Sequence, residues 1–467
     1  MFTSPTAESS WFGRFSVVPS KTQDKSAVDQ LRWIKRAIWL YFFLLVFEGA
    51  LRKWIFPGLA SPLLIVRDPV ALLVLVMSFS RGLFKINSYI AAMWIVALIA
   101  FGTTMSFGHG NIAVALFGFR ILVLQFPLIF VIGRVFDHRD VVKMGKVLLW
   151  IVFPMTVLLT LQFFSPQSAW VNRGLGGDIG GGGFGGGALG YFRPPGTFSF
   201  ISGIVLFYGL AAAYIFYFWL DRSVEIKKWL LFTATGCLLI ALSFSISRSL
   251  LFSVSISFLF SLVLASYRPK YLARLVTAVL VTAVLLFIFS KSTLFQTGIE
   301  ATTVRFETAT AEEGGASGVF FDRFLGGMVG AITNAGNIPF FGFGIGMGTN
   351  VGAKLMTGEV TFLLSEGEWG RLIGEMGLCL GLIVICVRLV LVLKMFIRSF
   401  RSIRKKNFLP WMLTSFGFLT ILQGQWAQPS TLGFAVLSGG LILASFRERP
   451  GTPRTIQRRK SQSFPEF

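Results

Sequence analysis

Glu368, Arg371 and Glu375 are spaced i, i+3 and i+7. On a helix that spacing puts all three on one face. They stand in the stretch Gly342–Gly377, GFGIGMGTNVGAKLMTGEVTFLLSEGEWGRLIGEMG, and the lipid-grade run LCLGLIVICVRLVLVLKMF follows at once. Ionised groups on one face at a membrane boundary are costly unless they pair or take part in function. A carboxylate placed there can serve as a general base, with Glu368 the first candidate and Glu366 the second. An arginine there can grip phosphate oxygens through its planar fork, or orient Glu368 or Glu375 through an intrahelical pair. The competing interpretation is a charged helix start solvated at the interface. Ahead of these residues, the glycines of GFGIGMG, including Gly344 and Gly346, suit a tight turn or a close backbone approach to a ligand. Their GxGxxG-like spacing follows no strand of a βαβ unit, so it argues weakly for a dinucleotide.

Two further arginines sit at span boundaries. Arg193 lies in YFRPPGTFSF and Arg248 in SFSISRSLL. With Arg371 they converge on one outer surface from distant parts of the chain. A membrane-embedded ligand carrying a pyrophosphate would satisfy them without a metal. The alternative is that each anchors separately at the interface. Glu48, Arg67, Asp68, Arg120 and Arg388 also interrupt apolar runs. Glu48, Arg67 and Asp68 are expected to form structural ion pairs, and Arg388 to snorkel toward the inner side.

The elements that must position these residues are membrane spans. The chain has 467 residues, 54% hydrophobic and 15% aromatic. Its mean hydropathy of +0.71 exceeds that of a soluble domain. Apolar blocks near twenty residues long predict an all-α, polytopic integral membrane bundle. The net charge of +22 does not mark a nucleic-acid binder. The basic residues fall in short alternating loops, as the positive-inside rule requires, with no aromatic–basic stripe. Cys237, Cys379 and Cys386 lie in apolar runs and make no metal or disulfide pattern. With only His109 and His138 available, a multi-histidine metal site is excluded. No cofactor is expected.

Taken in order, residues 1–30 read as a disordered cytoplasmic tail. A transmembrane domain over 31–446 follows, and 447–467 form a basic cytoplasmic tail. Runs near 37–56, 62–80, 88–106, 112–133, 147–165, 197–219, 229–247, 249–266, 272–290, 372–396, 409–426 and 430–446 predict about twelve transmembrane helices. The lysine and arginine bias places both termini in the cytoplasm. Two long segments then fall outside. Segment 166–196 is a Gly-rich loop lacking a P-loop ending, which reads either as a flexible lid or tether or as a non-functional insert. Segment 291–371, before the tenth span, is the largest polar piece.

At these residues the chain resembles the O-antigen ligase/O-antigen polymerase superfamily of bacterial envelope enzymes. Three motifs carry the resemblance in order: Arg-x-x-Gly-Thr-Phe at Arg193–Phe198, Ser-Arg-Ser at Ser247–Ser249, and the Gly-rich turn with its polar helix over Gly342–Gly377. The resemblance implies inverting, metal-independent glycosyl transfer from an undecaprenyl-pyrophosphate-linked glycan at the periplasmic face of the inner membrane. Where ligases of the family carry a histidine after the Gly-rich turn, this chain has Glu366 or Glu368. That difference favours a polymerase-like member, elongating exopolysaccharide or O-antigen chains, or a divergent one. Arg193, Arg248 and Arg371 would hold the pyrophosphate, with Glu375, Gly344 and Gly346 in support. Implied partners are the lipid-linked glycan, membrane lipid and envelope polysaccharide assembly proteins; nucleic acid is not one. The alternatives are ligase-type transfer to another acceptor, a lipid-linked glycan transporter or flippase, and a non-catalytic scaffold.

Overall fold

The computed structural model describes residues 25–178, 186–221, 223–267, 269–312, 326–358 and 363–447. Among them the chain is helical, with a single β-bridge between Ala188 and Tyr191. Among the described residues eight helices are long and apolar enough to cross a membrane, and three shorter apolar helices, Lys228–Phe244, Leu409–Leu422 and Pro429–Ser445, accompany them. The protein is therefore an all-α, multi-pass membrane bundle.

In chain order the helices are α1 (Lys25–Ala50), α2 (Arg67–Phe79), α3 (Ser88–Ser106), α4 (Ile112–Arg120), α5 (Phe126–Val135), α6 (His138–Phe164), α7 (Ile201–Leu220) and α8 (Lys228–Phe244). Then come α9 (Arg248–Ser266), α10 (Pro269–Phe289), α11 (Thr293–Glu312), α12 (Gly327–Thr333), α13 (Asn350–Thr357), α14 (Glu368–Arg404), α15 (Leu409–Leu422) and α16 (Pro429–Ser445). The apolar runs read from the sequence overlap these helices, with the run 112–133 spread over α4, a π-helical segment and α5. α1 starts at Lys25, inside the stretch expected to be a disordered tail. The rest of that tail, and all of the C-terminal one but Arg447, lie outside the described residues.

Small residues decide which helices sit at the centre, because packing in lipid depends on close backbone approach rather than on hydrophobic expulsion. α7 carries Gly203, Gly209 and Ala211–Ala213, and 78% of its apolar window is buried. α10, with branched side chains all round, has only 11% of its window buried and lies at the periphery. Gly439 and Gly440 of α16 meet Ile129 and Ile132 of α5.

Loop hydrogen bonds sort the helix ends into two sets. At one end, Lys35 pairs with Asp140, Arg134 donates to the Leu83 carbonyl at 3.2 Å, Arg274 to that of Leu220 at 2.5 Å, and Asn407 to that of Ser445 at 2.8 Å. At the other, Lys53 donates to the Gly196 carbonyl at 3.0 Å and Thr302 to that of Ser243 at 2.8 Å. The second end holds the glycine turn and is called the turn end below.

Candidate functional site

α14 is two limbs rather than one rod. Gly377 has φ +75° and ψ 170°, outside helical space. A Cβ at Gly381 would lie 3.0 Å from the Ile373 Cα, so the limb after Gly377 folds back along the limb before it. The break leaves the last carbonyls of the first limb without intrahelical partners. The glycine turn supplies them: the Phe343 N–H donates to the Gly374 carbonyl at 2.8 Å and the Gly344 N–H to that of Glu375 at 2.9 Å.

The turn needs its glycines. Gly342, Gly344 and Gly346 have φ of +73°, +113° and +88°, a region that L side chains avoid. Gly346 also runs against Val114 and Gly118 of α4 too closely for a Cβ. Thr104 of α3 accepts the Ile345 N–H at 2.9 Å, and His109 bonds the Ile345 carbonyl at 3.1 Å. The other His109 ring nitrogen accepts the Asn111 N–H at 3.0 Å, which makes the nitrogen facing Ile345 the donor.

On the hairpin the charges form one buried array. Arg371 is forked onto Glu368 at 2.8 and 2.9 Å and bonds Glu375 at 2.6 Å. Arg388, on the second limb, reaches Glu368 at 2.5 Å. It lies eleven residues past the break and Glu368 nine before it, roughly 16 and 13 Å along antiparallel limbs at 1.5 Å per residue. The Trp426 N–H completes Glu368 at 3.1 Å, so four donors occupy its two oxygens. Glu375 spends its remaining oxygen on the Gly348 N–H at 2.9 Å, which ties the array to the turn. All four charged side chains are buried. Arg388 does not snorkel. It is 1% exposed, donates to the Ile421 and Gly424 carbonyls, and packs 3.9 Å from the Trp426 ring centroid. Its partner stands twenty residues upstream across the break, beyond the range over which sequence spacing reports a contact.

A second buried array lies across the α15–α16 connection. Glu48 pairs with Arg52 at 3.3 Å and Arg67 at 3.0 Å, and Arg67 donates to the Pro429 carbonyl at 2.6 Å. Asp68 takes Arg120 at 2.7 Å and Gln125 at 2.6 Å. These are the structural pairs expected for Glu48, Arg67 and Asp68, and Arg120 joins them. Two π-helical segments, Leu51–Ile55 and Ile121–Gln125, adjoin this array and carry Arg52, Lys53 and Gln125.

The segment bearing Arg193 is fixed to the second array. Arg52 donates to Ser199 at 2.9 Å, Thr197 to the Val46 carbonyl at 2.6 Å, and Gly49 leaves no room for a Cβ beside Thr197–Ser199. Arg248 opens α9 just after its N-cap, Ser247, whose hydroxyl accepts the Leu250 N–H at 3.3 Å. Tyr191 stacks on Phe163 at 4.6 Å and Phe163 on Phe244 at 4.9 Å, which brings the two arginine-bearing segments to the same aromatic stack. Both arginines are half-buried.

The structure thus joins Glu368, Arg371 and Glu375 in one array with Gly344 and Gly346 against it. Arg193 and Arg248 stand on neighbouring segments of the turn end. Glu366 is exposed, on a strand of chain whose carbonyl accepts from Gln425 at 3.0 Å. Two participants escaped the sequence: Arg388, and His109, set beside Gly344 by the α3–α4 loop. The motif GHGN, with glycine on both sides of a histidine ahead of an N-cap, was the available signal for His109. Among the described residues no group of three or more His, Cys, Asp and Glu side chains could hold a metal. Compared with family models, curated proteins and solved structures, the chain matches none.

Proposed function

We propose that this protein is a glycosyltransferase of the bacterial inner membrane that elongates a polysaccharide from an undecaprenyl-pyrophosphate-linked glycan at the periplasmic face. In this proposal the chain crosses twelve times, both termini are cytoplasmic, and the turn end is periplasmic. One observation carries it: the exposed carboxylate of Glu366 stands two residues from a buried carboxylate–arginine array that holds the glycine turn in place. Glu368 has no oxygen open to a substrate proton unless it first gives up a donor, so it positions the turn and the loop of Gln425. Glu366 takes the base role.

The acceptor hydroxyl gives its proton to Glu366 while its oxygen attacks the anomeric carbon of the donor sugar. The bond from that carbon to the pyrophosphate oxygen breaks, and lipid pyrophosphate leaves with the electron pair. Arg193 and Arg248 meet the charge developing on it, as fixed guanidinium groups can without a metal. One displacement inverts the sugar carbon. The test is the protein in liposomes with lipid-linked repeat units, with products sized in excess chelator. Chain growth supports the proposal. Activity abolished by chelator and restored by magnesium or manganese overturns its metal-free chemistry.

The break at Gly377 favours a second possibility, because discontinuous helices with buried charge also line transport sites. Movement of the lipid-linked glycan across the liposome without new glycosidic bonds would make the protein a flippase.

A further inference from the structure

At the end opposite the turn, a cavity of about 280 Å³ opens between the α9–α10 turn and the α14–α15 turn. It is lined by Tyr267, Tyr271, Ile403, Arg404, Lys406 and Phe408. Two of the six are cations, and both are exposed. Among the described residues neither has an acidic partner. Lys405 is exposed beside them, and the Lys270 and Arg274 side chains lie 5.2 and 5.4 Å from the Tyr271 ring centroid.

The site is built rather than frayed. Tyr271 is 5% exposed and packs edge-on against Phe408 at 4.9 Å, yet its hydroxyl has no hydrogen-bond partner among the described residues. Lys406 has φ +59°, a left-handed conformation rare for a side-chain-bearing residue, and its N–H is tied to the Ile403 carbonyl at 3.0 Å. The chain accepts this strain where it turns Lys406 out of the helix line. Along the same helices Leu272 and Val276 of α10 and Leu393 and Ile397 of α14 are exposed apolar side chains. A ligand seated here would meet cations and a phenol at its head and a lipid-facing seam at its tail.

We propose that this cavity binds the phosphodiester head group of an anionic membrane lipid, with Arg404 and Lys406 pairing with the phosphate and the Tyr271 hydroxyl donating to it. Basic pockets between helices at a membrane surface recognise lipid head groups in this way. The orientation proposed above enters only in assigning the lipid to the cytoplasmic leaflet.

The experiment is native mass spectrometry of the whole protein, released from mixed micelles of phosphatidylglycerol and phosphatidylcholine. Phosphatidylglycerol should be retained in preference, and Arg404→Gln with Lys406→Gln should weaken that retention about 30-fold, from two charges near the surface. Lys227→Gln with Lys228→Gln removes the same charge from an exposed site at the same end without touching the cavity, and should leave retention unchanged. Tyr271→Phe deletes one hydroxyl, leaves the packing, and should weaken retention several-fold even if the double variant folds poorly. Equal loss in the Lys227/Lys228 pair would reduce the effect to diffuse surface charge and overturn the site. Retention unchanged in both Arg404/Lys406 and Tyr271 variants would do the same. Inorganic phosphate competing as well as phosphatidylglycerol would replace the lipid with a free anion.

Discussion

Glu366 and Glu368 stand two residues apart and have opposite surroundings, one exposed and one holding four donors. Their amides should therefore fail differently. Glu368→Gln leaves Arg388 buried without a carboxylate and Arg371 with Glu375 alone, and removing one member of a buried pair costs about 3–5 kcal/mol. A lowered melting temperature in detergent should accompany any loss of turnover. Glu366→Gln should melt like the parent and lose about 10²–10⁴ in rate, the range for a missing general base. Near-normal turnover in Glu366→Gln would remove it from that role. The arginines follow the same logic: Arg193→Lys and Arg248→Lys keep charge but lose the fork, so turnover should fall while the melting temperature holds. If both variants turn over normally, the pyrophosphate clamp is wrong. At this scale the sequence was legible where contacts are local. Glu368, Arg371 and Glu375 share a face by spacing alone, and they do meet. Arg388 was not, since an arginine in an apolar run looks the same whether it snorkels or pairs across a fold-back. His109 reaches Ile345 over more than two hundred residues, and no local pattern reports that.

The element that turns these residues into an array is the hairpin of α14. Gly377→Ala should test it. Its Cβ would stand 1.9 Å from the Phe340 carbonyl oxygen, at a φ of +75°. Relief requires either a shifted glycine turn or a straighter α14, and a straight helix would separate Glu368 from Arg388 by about 30 Å at 1.5 Å per residue. The variant should lose at least about 3 kcal/mol, from backbone strain together with the broken pair. Gly102→Ala is the control: its Cβ would meet open space on α3, so stability should change by no more than about 1 kcal/mol. Melting of the two side by side decides the matter, and equal midpoints would mean that the break is not needed. The helices themselves were legible because lipid demands long apolar runs. The break was not. Glycine is common in membrane helices, so Gly377 inside GEMGLCLG carries no mark of its positive φ. The same holds for the π-helical segments, which place one extra residue in a turn without changing the apolar pattern.

For the whole molecule, what matters is which compartment the turn end faces. The two helix ends separate cleanly in structure: Lys35, Arg134, Arg274 and Asn407 fasten one, and Lys53, Thr302 and His109 the other. The sequence carries the same division as charge, because translocation selects against lysine and arginine in short outside loops. Orientation is open to direct measurement. In a background with Cys237, Cys379 and Cys386 replaced by serine, single cysteines at Asp178 and Glu312 should react with a membrane-impermeant maleimide in intact cells. Cysteines at Arg222 and Lys405 should react only after the membrane is opened. Reaction of the position-312 cysteine only in opened cells would put Glu366, Arg193 and Arg248 on the cytoplasmic side. A periplasmic polymerase would then be excluded whatever the variants do, since its lipid-linked donor and acceptor would lie across the membrane. The head-group cavity would keep its ligand chemistry in that case and change only its leaflet, so lipid retention and maleimide labelling can fail independently.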